Sequence, residues 1–385
     1  MRILYMVFHF PPISGGGVIV VAKIANALAE LGHEITIITP NVEWNGEKYN
    51  PKLHHNIEVI RTETPSRNNI KIAARRCYKN LRDKGIELGQ KKSYDFVFSI
   101  FHPFHFAPKA AVSCAKKLKI PSIIKIDDAI YAKSTGLKSI QRKIEKRYNS
   151  KTLQNSSKVL VMNEHTKELV EKYYNIKKEK ISIVPNGVEL KQFESKLKRK
   201  RQIIFSGVMY EHRGLDILMK AVPIIIKKIS DIQIVLVGNG PELENIKKIV
   251  KDTNIESNIT FLGWVEHEKI PKILKESIIG IGPLRSTDVT KNALPIKILE
   301  YMAASLPIVA KNGTIPSDIL IDGENGFSIQ NSTDLAEKII KLLENEQMLE
   351  KFGENSRKIV EKFDWENIAK MIINDYSKLT LMKNK

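Results

Sequence analysis

The sequence predicts an α/β chain of two doubly wound parallel-sheet domains, and three observations carry that prediction. Short apolar runs alternate with amphipathic stretches along almost the whole chain, the pattern of a parallel sheet built from strand, helix, strand units. The alternation breaks once, at KQFESKLKRKR between Leu190 and Arg201. That stretch is polar, charged and without apolar periodicity, as a domain linker is. The length of 385 residues exceeds what one hydrophobic core serves and suits two.

The first repeat opens with RILYMVF, an apolar run ended by Pro11 and Pro12. Ser14-Gly15-Gly16-Gly17 and the helical pattern VIVVAKIANALAELG follow, so the order is strand, glycine loop, helix. Gly32 stands where a helix-terminating glycine belongs, and EITIIT is the next buried strand. NIEVIRT, DFVFSIF, PSIIKI, KVLVMN and KISIVP continue as strands, with KAAVSCAKKLK and HTKELVEKYYN as helices between them. After the linker the pattern restarts with the strands QIIFSG, QIVLVG, NITFLG, IIGIGP, PIVAK and GFSIQ. Helices are expected at GLDILMKAVPIIIKKI, ELENIKKIVKDT, EKIPKIL, PIKILEYMAAS and from Thr333 onward. The expected domains are therefore 1–190 and 201–364, with a C-terminal helix at about 365–385 returning to the first. Open sheets bind ligands at the carboxyl ends of their strands, so two such halves facing each other would hold a ligand in the cleft between them.

Composition excludes several classes. With 42% hydrophobic and 27% charged residues, the chain belongs with soluble globular proteins rather than disordered or fibrous ones. No apolar run reaches the roughly 18 residues of a membrane span, and MRILYMVFHFPP is too short before its prolines to be a signal peptide. A cytoplasmic location is expected. Cys77 and Cys114 have neither the partners nor the spacing of a disulfide framework or zinc site, and no cluster of carboxylates and histidines suggests a divalent ion. The net charge of +19 calls for a negatively charged partner. Nucleic acid is disfavoured, because the basic stretches lack interleaved aromatics and any base-reading motif.

The basic excess clusters at residues 67–92 and from Lys138 to Lys151. In the first cluster Ile70, Ala74, Cys77, Tyr78 and Leu81 share one face at helical spacing, and Arg75, Arg76, Lys79 and Arg82 lie around it. Such a surface suits an anionic membrane bearing a lipid-borne partner, and equally suits an apolar face packed on the sheet with its cations in water.

Six motifs come in one order: SGGGVIVVAKIANALAELGHEITIIT, KISIVPNGVELKQF, FSGVMYEHRGLDILMKAV, IVLVGNGPELENI, ITFLGWV and NALPIKILEYMAASLPIVA. Over nearly the whole chain they resemble glycosyltransferase family 4, retaining enzymes of the GT-B fold, in which two Rossmann-like domains face each other across a cleft. The resemblance implies a metal-independent transfer from a nucleotide-sugar, UDP- or GDP-linked, to a glycan, lipid-linked or small-molecule acceptor. The nucleotide-sugar is then a substrate, and no cofactor is expected.

Glycines at 15–17 let backbone N–H groups and a helix N-terminus approach a phosphate or hydroxyl, although a tight turn needs them as well. The resemblance implies donor and acceptor contacts for Gly16 and Gly17. Val184-Pro185-Asn186-Gly187-Val188 reads as a structural turn. The segment from Gly207 to Gly214 resembles the family's diphosphate site. Arg213 stands at that site's lysine position, whereas Val208 stands where the family has an arginine, so one of two cations that would stabilise the leaving group is missing.

The family also carries two glutamates seven residues apart. Glu300 matches the second, which grips the ribose hydroxyls, and a carboxylate can accept two such hydrogen bonds. Asn292 stands at the first, which touches the transferred sugar. Pro295 between them reads as the first residue of a helix, leaving N–H groups near Ala293 and Leu294 for a phosphate or sugar. Asp127 occupies the place of a histidine that touches the transferred sugar, able to bind hydroxyls or act as a base, with Lys125 as its screen. His102 and His105, after DFVFSIF, are the neighbouring candidates.

Two rivals remain. A dinucleotide-dependent dehydrogenase shares the first strand, loop and helix, but Gly15-Gly16-Gly17 is not GxGxxG and EITIIT ends without an acidic residue. A catalytically inactive relative that only binds nucleotide or glycan fits the substitutions at Val208, Asp127 and Asn292.

Overall fold

The computed structural model describes residues 1–42, 45–46, 48–63, 70–102, 106–127, 137–195, 197–287, 290–291 and 293–383. The chain divides into two compact units, Met1–Asn186 with Trp365–Lys385, and Gly187–Asp364.

The first unit alternates β1 (Arg2–Met6), α1 (Gly16–Glu30), β2 (Glu34–Pro40), β3 (Ile57–Thr62), α2 (Ile70–Lys91), β4 (Phe96–Phe101), α3 (Ala107–Leu118), β5 (Ser122–Ile126), α4 (Leu137–Asn155), β6 (Lys158–Val161), α5 (Glu164–Tyr174) and β7 (Ile181–Ile183). The strands form one seven-stranded parallel sheet in the order β3-β2-β1-β4-β5-β6-β7. Its central strands are apolar on both faces because helices cover both, and Leu4, Val97, Ile124 and Val159 share one core cluster. Local signals set the helix ends. The Asn163 carboxamide oxygen accepts from Thr166 N–H at 2.8 Å at the start of α5, and Asn175 closes that helix in the left-handed region.

The helices α2 and α4 occupy the two basic stretches. On the described part of α2, Arg82 pairs with Asp83 at 2.7 Å, and Lys84 and Lys91 share Glu87 at 3.0 and 2.7 Å. Asp83 and Glu87 thus meet three of the helix's cations, Lys79 is exposed, and the side chains of Arg75 and Arg76 lie outside the described residues. On α4, Ile140 and Ile144 are 56% and 63% exposed, with exposed Lys143, Arg147 and Lys151 at helical spacing beside them.

The second unit alternates β8 (Gln202–Ser206), α6 (Leu215–Lys228), β9 (Gln233–Val237), α7 (Leu243–Asp252), β10 (Ile259–Gly263), α8 (Ile270–Lys275), β11 (Ile279–Gly282), α9 (Ile296–Ala303), β12 (Ile308–Lys311), β13 (Gly326–Ile329), α10 (Ser332–Leu343) and α11 (Glu346–Val360). Its sheet is parallel and six-stranded, in the order β10-β9-β8-β11-β12-β13. The last helix, α12 (Trp365–Lys383), belongs to the first unit. There Ile368, Ala369 and Ile372 are fully buried, Tyr376 stacks on Phe96 at 4.8 Å, and Asp375 accepts from Ser182 Oγ at 2.8 Å.

The crossing between units falls at Asn186 and Gly187 rather than within 191–201. Val188 and Phe193 are buried in the second core, and Val188 N–H donates to Phe363 O at 2.8 Å. A charged stretch reports exposure to solvent, yet Val188 before it and Phe193 within it pack into the second core.

One close approach positions the second unit's site. From Lys297 to Ala303 every residue of α9 is buried, and the helix lies against β11 because Gly280 has no side chain. A Cβ there would sit 2.5 Å from the Tyr301 ring. The Tyr301 hydroxyl in turn accepts from Ser206 N–H at 2.8 Å, tying α9 to the end of β8. Gly280→Ala must push the helix outward, and overpacking of this kind costs about 1–3 kcal/mol. Chemical denaturation is expected to register that loss; wild-type stability would mean that α9 is not held by this contact.

Candidate active site

At the carboxyl end of the second sheet, Lys297 of α9 reaches the turn after β8. Gly207 is exposed, with its backbone in the left-handed region (φ 129°). The chain passes close to Gly238, where a Cβ would meet Gly207 O at 2.2 Å. Arg213, half-buried, closes a 3₁₀ turn (Glu211–Arg213) that leads into α6. From α9, Lys297 is 8% exposed, and its Nζ lies 3.9 Å from the centre of the Phe205 ring. The same Nζ is 3.5 Å from the place a Gly207 Cβ would take.

One helical turn on, Glu300 is 9% exposed and its Oε1 is 2.8 Å from His267 Nε2. With the ring proton on Nε2, His267 donates and fixes one carboxylate oxygen. Burial pushes the Lys297 ammonium well below the usual lysine range, the positive charge of Arg213 pushes it further, and Glu300 opposes both. Burial raises the Tyr301 phenol, so it stays neutral.

The expected helix start differs in detail. Pro295 is the N-cap of α9 and not its first helical residue. Ala293 N–H is engaged by Thr290 O at 3.2 Å and is not free for a ligand, while Leu294, 7% exposed, packs in the second core. Asn292 lies outside the described residues.

The first unit carries its own constellation at the carboxyl ends of β1, β4 and β5. Gly16 and Gly17 open α1, and a Cβ on either would meet nothing within 4 Å, so no packing within the chain demands glycine there. Asp127 follows β5, and its Oδ1 accepts from Lys125 Nζ. The Lys125 ammonium, fully buried, also donates to Asn186 Oδ1 at 2.7 Å. The other Asp127 oxygen, Oδ2, is shielded from water and has no hydrogen-bond partner among the described residues. That carboxylate helps to raise the buried Tyr5 phenol, after burial itself.

His102 follows β4, solvent-accessible, with its imidazole pKa lowered by partial desolvation. A second imidazole, His9, is pushed down to about 4 by burial and by His102. His105 lies outside the described residues.

Sequence reasoning had missed Lys297, His267, His9 and the role of Asn186. A signal existed for Lys297: a lysine inside an apolar helix, three positions before Glu300 and therefore on the same face. Nothing in sequence pairs His267 with Glu300, because their contact is tertiary.

Removing one partner of a buried ion pair strands the other charge, at about 3–5 kcal/mol. Lys125→Met is therefore expected to lower the urea midpoint sharply, and Lys125→Met with Asp127→Asn to recover most of the loss. A wild-type midpoint for the single variant would refute the pair as a constraint on the fold.

Residues 187–359 match the family described as glycosyl transferases group 1, and residues 14–192 match glycosyltransferase family 4. The N-acetyl-alpha-D-glucosaminyl L-malate synthase of Bacillus anthracis is 24% identical over 96% of this chain and 95% of its own. Among solved structures, sucrose-phosphate synthase from Thermosynechococcus elongatus aligns with a TM-score of 0.78 at 17% identity, covering 99% of both chains. Anabaena HepE, solved in complex with UDP-glucose, aligns at 0.73 and 15% identity over 98% of this chain and 100% of its own. With two consecutive family matches spanning both units and the fold of these structures, the chain belongs to the group 1 and family 4 glycosyltransferases of GT-B type.

Proposed function

We propose that the protein transfers a sugar, with retention, from a nucleoside diphosphate sugar to a sugar or lipid-linked acceptor, without a divalent ion. The observation that carries the donor assignment is Glu300, a buried carboxylate with one oxygen held by His267, one helical turn after Lys297, which reaches the turn leading to Arg213. Its second oxygen is then available to accept from a ribose hydroxyl, and Arg213 stands ready for phosphate charge. UDP-sugars are the first candidates, because the aligned HepE structure holds UDP-glucose. In this reading the leaving-group charge falls to protein cations and helix N-termini.

In this reading the anomeric carbon loses the diphosphate through an oxocarbenium-like state. The acceptor hydroxyl arrives on the same face, and the departing phosphate takes its proton. Asp127 Oδ2 accepts a hydroxyl of the transferred sugar, its charge balanced by Lys125. His102, His105 and Asn292 are the further sugar contacts. The N–H groups at Gly16 and Gly17 approach donor phosphate or acceptor.

Turnover of a panel of UDP- and GDP-sugars, followed as released nucleoside diphosphate, is expected to persist in EDTA. Glu300→Gln should keep the melting temperature and weaken nucleotide binding about 10- to 100-fold, the range of a lost hydrogen bond to a charged group. Unchanged affinity in that variant would sink the donor site. Binding without turnover of any donor would favour an inactive, nucleotide-binding relative, a reading to which Val208 and Asp127 lend weight.

For a lipid-linked acceptor the approach would be peripheral, since no described helix is long and apolar enough to cross a membrane. The exposed Ile140 and Ile144 of α4, beside Lys143, Arg147 and Lys151, suit an anionic surface, and exposed Lys79 of α2 offers a further cation. Each cation near such a surface contributes about 1 kcal/mol, screened by salt. Sedimentation with anionic vesicles at low salt is expected to capture the protein, and replacing Lys143, Arg147 and Lys151 with Gln to release it. Equal binding to neutral vesicles would leave a soluble acceptor.

A further inference from the structure

We propose that Lys297 is a direct contact of the donor diphosphate, supplying the positive charge that Val208 does not; the proposal rests on the donor reading above. The motif at Gly207 to Gly214 brings one cation, Arg213, and the neighbouring position offers only an apolar valine. The structure brings a second cation to the same turn from α9, 90 residues along the chain from Gly207.

Buried ammonium groups are almost always paired and hydrogen-bonded, because an unmet charge in a dry site is costly. Lys297 departs from that rule: it is 8% exposed, and its Nζ has no hydrogen-bond partner among the described residues. The face of Phe205 at 3.9 Å attracts the positive charge but leaves its N–H donors unused. Glu300, on the same helix face, has an oxygen committed to His267. Beyond the ammonium lies the bare backbone of exposed Gly207, where a side chain would come within 3.5 Å.

Arg213 adds its own positive field at Lys297. Two cations converging on an open glycine turn, with one of them unsatisfied, cost stability until an anion arrives. An anion of two or more charges meets both, and a nucleoside diphosphate is one. Packing does not explain the residue, since methionine would fill the same volume without the desolvation cost. The burial that lowers the ammonium's proton affinity in the empty protein has its counterpart in binding, where phosphate oxygens favour the charged form.

The test is calorimetric titration of wild type, Lys297→Met and Lys297→Arg with UDP, GDP, uridine and guanosine. Wild type is expected to bind one diphosphate. Lys297→Met should bind that diphosphate at least 30-fold more weakly, bind the matching nucleoside with unchanged affinity, and melt no lower than wild type without ligand. Lys297→Arg should recover part of the diphosphate affinity. Equal diphosphate affinity in wild type and Lys297→Met would overturn the assignment, and so would an equal loss for nucleoside and diphosphate, which marks a residue that only shapes the site. Wild type that binds neither diphosphate would overturn the donor reading itself, and is distinguished by failing before any substitution is made.

Discussion

The second unit depends on how closely α9 approaches the sheet. The helix is buried along seven consecutive residues, Lys297 to Ala303, and that burial is possible because β11 offers Gly280 to the Tyr301 ring. The bond from Ser206 N–H to the Tyr301 hydroxyl then fixes the helix against the last residue of β8. These contacts decide where the two charged residues of α9 stand. Ile298, Tyr301 and Met302 enter the core, while Lys297 reaches the turn that follows β8 and Glu300, three residues on, meets His267. A helix held less firmly would let both charges reach water, and the desolvation that gives them strength toward a ligand would be lost.

What the sequence made legible follows from the same physics. Strands covered on both faces are continuous apolar runs, so the central strands were visible as such runs, and the edge strands β3 and β10, partly exposed, as shorter ones. Glu300 stood out because a carboxylate within EYMAA has no reason to be there without a partner. The helices α2 and α4 were weakly marked, since their apolar positions are diluted by charges facing outward. The domain crossing was misread for a related reason: charge density at 191–201 reports solvent, whereas the crossing at Asn186 and Gly187 is set by which core receives Val188 and Phe193. His267 was illegible because its contact with Glu300 spans 33 residues and depends on two elements packing together. Lys297 could have been found by asking of a buried lysine what had been asked of a buried glutamate.

In the first unit the same accounting explains Asp127. An imidazole in that place can be neutral and needs no countercharge, whereas a carboxylate on a buried strand end must be paired or protonated. Lys125, two residues earlier and therefore on the same face of β5, provides the pair. The lysine is then over-supplied with donors, and Asn186 takes one of them. The turn Val184 to Val188, expected only to reverse the chain, thus contributes the side chain that completes the buried cluster. Asp127 is left with one oxygen committed and one without a partner among the described residues.

Two of the three departures from the family's pattern, those at Asp127 and Val208, share a logic. At Asp127 a charge is gained and a lysine beside it restores neutrality; at Val208 a charge is absent and, on the assignment of Lys297, a lysine from another element restores it. On that reading the local charge is kept in each unit while the residue carrying it changes. What must persist for phosphate to leave is the local potential at the strand ends, and a potential can be supplied from any element that reaches the place. Position-by-position comparison registers such exchanges as losses. The constraint becomes visible when buried charge is counted by neighbourhood, where an ammonium without a partner points to the anion that completes it.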